Sequence, residues 1–365
     1  MTNKMKTLSL VVASALLSST AFSQITFSGY NETSYQKQSR TALPANDAFT
    51  ALRSGTQLGN ETVLTARGAS KLPNGNNVSA YVNFLDTDAL GTSGPERGFD
   101  IGITKDVSFV YGYDRVFGSE IARTLTPFAT NRVTDQTGHA AAANITDVTS
   151  DQHAIGLNAN NVGMEGLTLS IAYNPNRTSG AVTTTSSDRL DALAKATDGY
   201  GIGIRTPSIQ GLTFGAGITK IDAVDPNTSD ITSKSLGVTF AMAPFAVGAQ
   251  RTKTNGHGLP ASGTAGAVVT ANTDQEDTTD VVSATYALTK ELTAGVAYST
   301  MERTRNSVAS LQDAKVSLIS LAYNLGPVVL SFDHERVTDS ALNASANNLA
   351  GNDSTMNKLK ARVNF

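Results

Sequence analysis

Lys358, Lys360 and Arg362 recur at every second position near the end of the chain, interleaved with Leu359, Ala361 and Val363 and followed by Phe365. A β-strand sends alternate side chains to opposite faces, so this stretch carries one basic and one apolar face. The chemistry open to such a basic face is electrostatic. Fixed cations attract anions and repel cations without making or breaking a bond. In a soluble sandwich the apolar face would meet a packed core. In an outer-membrane barrel it would meet lipid, and the basic face would line a lumen. An aromatic residue ending the chain inside a strand favours the barrel, because closure ties the last strand to the first, whereas a soluble terminus usually frays.

Other chemistries find little support. His139, His153, His257 and His334 are scattered, and although His334 adjoins Asp333, neighbours on a strand point to opposite faces. Asp222, Asp225 and Asp230 share one segment that could bind a divalent cation, but a solvated loop is the simpler reading. There is no cysteine, which excludes a disulfide framework and thiolate metal ligation. No glycine-rich phosphate loop or metal-ligand spacing appears. We therefore expect no catalytic set, no metal and no cofactor. A net charge of −3, falling to −5 without Lys4 and Lys6, gives no basic field for nucleic acid.

These side chains must be positioned by strands. Lys4 and Lys6 precede the apolar run Leu8–Leu17, and Ala21-Phe22-Ser23 supplies small residues for cleavage, which reads as a signal peptide over 1–23 cut before Gln24. Over 24–365 the longest apolar run, Ala241–Ala249, is too short to span as a helix and contains Pro244. Charged residues make up 16% of the chain, below the roughly 25% of soluble domains. Short alternating runs fill this region. They are expected at Gln24–Tyr35, Glu61–Leu72, Val78–Leu85, Gly98–Thr104, Val107–Asp114, Gln152–Asn160, Leu167–Asn174 and Gly199–Thr206. The rest are Leu212–Ile221, Lys234–Ala241, Phe245–Thr252, Thr279–Leu288, Leu292–Met301, Ala314–Asn324, Val328–Glu335 and Met356–Phe365. Long and short connections alternate strictly, eight long and seven short. This predicts an all-β fold, a transmembrane antiparallel barrel of about 16 strands. Tyr35, Tyr113, Tyr173 and Tyr298 fall beside long connections, and Tyr286 and Tyr323 beside short turns, as expected of aromatic girdles at two water–lipid boundaries.

The two ends, the strand count and the alternating connections together resemble the general trimeric porins of Gram-negative outer membranes, over the whole region from 24 to 365. The resemblance implies a homotrimer in outer-membrane lipid and a water-filled channel for passive diffusion of ions and small hydrophilic solutes. A solute-specific channel with a binding track is the alternative, and an enzyme fits worse. It also implies that the longest connection, from Arg115 to about Asp151, is a third loop folded into the pore. That loop offers Glu120 and Asp135 as acids and Arg123 and Arg132 as bases, and Ser119 is placed to cap a short helical turn. On the wall, Arg67 shares an inner face with Glu61. Counting from the strand ends places Arg67 level with Lys358, so Arg67, Lys358, Lys360 and Arg362 are expected to form a basic patch opposed by the loop acids. Phe365 is expected to close the barrel facing lipid.

Overall fold

The computed structural model describes residues 24–40, 55–87, 97–113, 117–122, 153–177, 197–222, 230–257, 274–305, 313–338 and 354–365. Sixteen antiparallel strands close into a barrel in which each pairs with its sequence neighbours and the first pairs with the last. They are β1 (Gln24–Arg40), β2 (Gly55–Lys71), β3 (Asn77–Thr87), β4 (Arg97–Gly102), β5 (Val107–Tyr113), β6 (His153–Asn160), β7 (Thr168–Arg177) and β8 (Thr197–Arg205). The second half comprises β9 (Leu212–Ile221), β10 (Ile231–Met242), β11 (Phe245–His257), β12 (Asp274–Ala287), β13 (Leu292–Arg305), β14 (Ala314–Asn324), β15 (Val328–Thr338) and β16 (Ser354–Asn364). Closure leaves no sheet edge and satisfies the backbone entirely between strands, the condition for crossing hydrocarbon as β-structure. None of the described helices is long and apolar enough to cross a membrane.

The two faces sort as the alternation predicts. Leu236, Val282, Val296, Ile319, Leu330 and Leu359 point outward and are exposed, while their strand neighbours Ser235, Ser283, Ala297, Ser320, Ser331 and Lys360 point inward. A soluble protein would have these positions reversed. Tyr35, Tyr173, Tyr200 and Tyr298 stand on the outer face toward the long connections, with Tyr286 and Tyr323 toward the short turns. Those turns are tight. At Leu72–Asn76, Gly75 takes a φ of 84°, a left-handed conformation that favours glycine, and its amide bonds Leu72 O at 2.8 Å.

Several strands run past their expected limits at the long-connection end. β1 reaches Arg40, β2 begins at Gly55 and β12 at Asp274. Apart from Leu58, their outer segments are polar on both faces, so no hydrophobic alternation marks them, yet the ladder continues. The closing seam is complete: Phe365 N bonds Gly29 O at 3.0 Å and Gly29 N bonds Phe365 O at 2.9 Å. The Phe365 ring is exposed, 62%, on the outer face. A side chain at position 29 would approach that ring at 3.1 Å. Deleting Phe365 is expected to lower the yield of folded barrel more than deletions within 258–273 do. The heat-modifiable band on gels reads this, and equal yields would count against the seam. The signal-peptide expectation lies outside the described residues.

Candidate functional site

The inner rows of β16, β1 and β2 meet at one place. Register puts Arg362 opposite Glu32 and Glu32 opposite Glu61. Two carboxylates directly opposite each other across a ladder repel. The structure resolves this by giving each its own partner. Glu32 Oε1 takes Lys360 Nζ at 2.8 Å, and Glu32 Oε2 takes Arg362 Nη2 at 2.8 Å and Nε at 2.9 Å. Glu61 accepts the Tyr30 hydroxyl. The Arg362 guanidinium also lies 4.0 Å from the Tyr30 ring centroid, a cation–π contact. Lys360 and Glu32 are nearly enclosed, with side chains 9% and 7% exposed. Taken together, the cluster of Lys360, Arg362, Glu32 and Glu61 is electrically neutral.

Lys358 also faces acids supplied by the wall. It pairs in register with Asp333 of β15, and the buried Glu335 lies two residues along the same inner face. The cations of β16 are therefore interleaved with carboxylates from both neighbouring strands. The expected opposition to these cations came from the third-loop acids; the wall itself supplies acids as well. Arg67 does not join this group. It sits opposite Thr26, whereas Lys358 sits opposite Gln36, ten residues along β1 and about 33 Å of strand away. Counting from strand ends assumed flush ends, but barrel strands are staggered. Arg67 is exposed on the inner face, and no side-chain partner accompanies it among the described residues.

The root of the third long connection packs inside the barrel. Gly118–Ala122 forms a 3-10 turn lying on the inner face of β7–β10. The Gly118 amide donates to Ser170 Oγ of β7 at 2.7 Å, and the Ser119 hydroxyl bonds the Thr219 hydroxyl of β9. Ser119 thus ties the turn to the wall instead of capping it. Phe117, 1% exposed, packs with Val110, Ala154, Ala172, Ile221 and Ile231. The wall beneath is stripped of side chains: a Cβ on Gly201 would come within 2.9 Å of Ser119 Oγ, and one on Gly203 within 2.2 Å of Gly118 O. Only the backbone of Glu120 is described. Arg123, Arg132 and Asp135 lie outside the described residues.

Elsewhere, Asp222 and Asp230 engage Lys220 at 3.1 and 2.6 Å, so these two members of the aspartate cluster hold an ammonium. Asp225 lies outside the described residues. Among the described residues no group of three metal-ligating side chains converges. His334 bonds Asn357 on the outer face while Asp333 is buried inside, as strand parity requires. The sequence reading gave Glu32, Tyr30, Asp333 and Glu335 no role in the site. Parity was the available signal for all four.

The described residues offer a polar lumen with fixed charge. Solved structures share this fold. The chain is similar to an anion-selective porin from Comamonas acidovorans, at 15% identity and a TM-score of 0.60, covering 94% of this chain and 99% of that one. It is also similar to a porin refined at 1.8 Å resolution, at 12% identity and a TM-score of 0.62, covering 94% and 100%. A third is the trimer form of OmpT from Vibrio cholerae, at 11% identity and a TM-score of 0.57, covering 94% and 99%. No curated protein matches the chain. The family model for Gram-negative porins matches residues 8–340, which is most of the chain, and the protein belongs to that family.

Proposed function

We propose that ions and small hydrophilic solutes cross this outer-membrane channel along the inner face of β1–β4 and β16, beside a third loop rooted against β7–β10. The observation that carries the reading is the barrel's polarity: closed, apolar outside, polar inside, with the Phe117–Ala122 segment docked on one side of the interior. Glu120, Arg123, Arg132 and Asp135 remain the loop charges proposed for the constriction. The mature chain starts at Gln24 and assembles as a homotrimer, which would run as an oligomer on unboiled gels. Nothing in the site calls for catalysis.

Charge in the lumen sets ion preference, and Arg67 is the cation we expect to contribute most. Lys360 and Arg362 are compensated by Glu32, whereas Arg67 has no side-chain partner among the described residues. Reversing Arg67 to Glu is expected to shift permeability toward cations at low salt, and Lys358→Gln to shift it less. The difference should shrink near 1 M salt, where the Debye length falls to about 3 Å. Planar-bilayer reversal potentials across a salt gradient measure this. A wild-type protein that inserts but gives no conductance would sink the channel reading. Conductance saturating with one solute would favour a binding track.

A further inference from the structure

The inner face of β2 carries two cations toward the short turns. Arg67 and Lys71 share strand parity with Glu61, and both are exposed. Arg67 stands opposite Thr26 of β1 and Tyr81 of β3, and Lys71, the last residue of β2, stands opposite Asn77. No hydrogen bond or ion pair engages either side chain among the described residues. The inward acid at this end of β1–β4 is Asp100, which lies two strands from Arg67, opposite Ser79, and is half-buried. Arg205 of β8 adds a further inward cation, since it shares parity with Gly201 and Gly203.

Charge is therefore sorted along the pore. Toward the long connections, Lys358, Lys360 and Arg362 are interleaved with Glu32, Asp333 and Glu335. Arg67 lies six residues nearer the short turns than Glu61, about 20 Å of strand, and Lys71 lies about 14 Å further still. The turns themselves carry both signs, Lys105 and Lys290 against Asp106, Glu165 and Glu291, and the Lys105 side chain is 87% exposed. Charges of that kind stand in bulk water and are screened, whereas Arg67 and Lys71 stand inside the barrel against a low-dielectric wall. A guanidinium fork matches carboxylate or phosphate oxygens two at a time, and an ammonium adds a point charge. Four residues apart on one face, the two long side chains can bend toward one anion bearing more than one charge.

We propose that Arg67 and Lys71 form an anion-binding antechamber at the short-turn mouth, for small oxyanions of two or more charges such as phosphate esters and polycarboxylates. The antechamber rests on the channel reading and lies apart from the cluster of Lys360, Arg362 and Glu32. Its place at one end makes the channel conduct unequally in the two directions. Anions carry most of the current through the positive zone, while both ions share it beyond. Driving anions from the antechamber into the pore therefore loads the pore with salt, and driving them out toward the short turns depletes it. Conductance is higher with the long-connection side positive.

The test is planar-bilayer recording of the folded mature protein in about 0.1 M salt, with tripolyphosphate added to one chamber. Wild-type channels should be blocked at about tenfold lower tripolyphosphate from one side than from the other, and should pass about 1.5-fold more current when anions enter from that same side. Both asymmetries should vanish in Arg67→Gln/Lys71→Gln, and in wild type near 1 M salt, where the Debye length falls to about 3 Å. The chain has no cysteine of its own, so streptavidin on a biotinylated Lys105→Cys protein identifies the short-turn side, which is the side of tighter block. Lys105→Gln/Lys290→Gln should keep both asymmetries. Should Arg67→Gln/Lys71→Gln not fold, charge is changed after folding instead. Lys71→Cys protein treated with a cationic methanethiosulfonate should keep the asymmetries, and treated with an anionic one should lose them. Tighter block from the long-connection side, asymmetry that survives the anionic reagent, or equal loss in the turn variant would overturn the antechamber. A wild type that conducts without either asymmetry refutes only the antechamber, and a folded wild type without conductance refutes the channel.

Discussion

Replacing Glu32 with Gln is expected to destabilise the barrel and turn its permeability toward anions. Glu32 is the only carboxylate in contact with both Lys360 and Arg362 among the described residues. With Glu32 and Lys360 nearly enclosed, removing the acid leaves an ammonium with little water and no counter-charge. Breaking such a buried pair costs about 3–5 kcal/mol. The Arg362–Tyr30 stacking survives and retains a part worth about 0.5–2 kcal/mol. The same substitution changes the four-charge cluster from neutral to positive, close to a low-dielectric wall where fixed charge acts on passing ions more strongly than in bulk. Both effects have their own readout. Urea midpoints of the folded protein should fall, and the reversal potential in a salt gradient should move toward the anion limit. Arg362→Gln alone should leave Lys360 to hold Glu32, and the Glu32→Gln/Arg362→Gln double variant should show non-additive coupling with the singles. An unchanged midpoint and potential in folded Glu32→Gln protein would mean that the ion pairs neither hold the seam nor border the path.

That this pair escaped the sequence reading has a physical reason. Strand parity is local, and it assigned Lys358, Lys360 and Arg362 to the lumen from their neighbours alone. Which acid meets which base is set by register across the closing seam, where Glu32 and Arg362 are 330 positions apart. Register in a barrel includes stagger, and no residue announces it. The misplacement of Arg67 beside Lys358 has that origin. The overall architecture was legible because lipid imposes strict alternation on every strand and the turns are marked by Pro, Gly and Asn, as at Pro73-Asn74-Gly75. Beyond the lipid band that constraint ends, which explains why Gln36–Arg40 and Gly55–Asn60 escaped notice as strand. The third loop is an intermediate case. Ser119 has the chemistry of a cap, but the glycines that receive it, Gly201 and Gly203, lie on another strand and read as mere alternation with Tyr200, Ile202 and Ile204.

Those glycines give the last prediction. Gly203→Val should narrow the channel by pushing the root of the third loop off the wall and into the lumen. A Cβ at 203 would meet Gly118 O at 2.2 Å and Ile121 Cγ2 at 2.4 Å, and the first of these is backbone that no rotamer change relieves. Something must shift, and the strand is held on both sides by its ladders to β7 and β9. The turn is held by less: the Gly118–Ser170 bond, the Ser119–Thr219 bond and the Phe117 contact. Neutral hydrogen bonds of this kind contribute about 0.5–1.5 kcal/mol each. Displacing a β-strand within a closed barrel would break several such bonds at once, so the turn is the part that yields. β-branched valine suits a strand, which keeps the barrel itself intact. Single-channel conductance should fall while the heat-modifiable gel shift is preserved. Ser119→Ala with Thr219→Val should move conductance the same way by a smaller step, since it removes one tether without forcing the turn inward. Folded Gly203→Val protein with wild-type conductance would show that this segment does not border the conducting path.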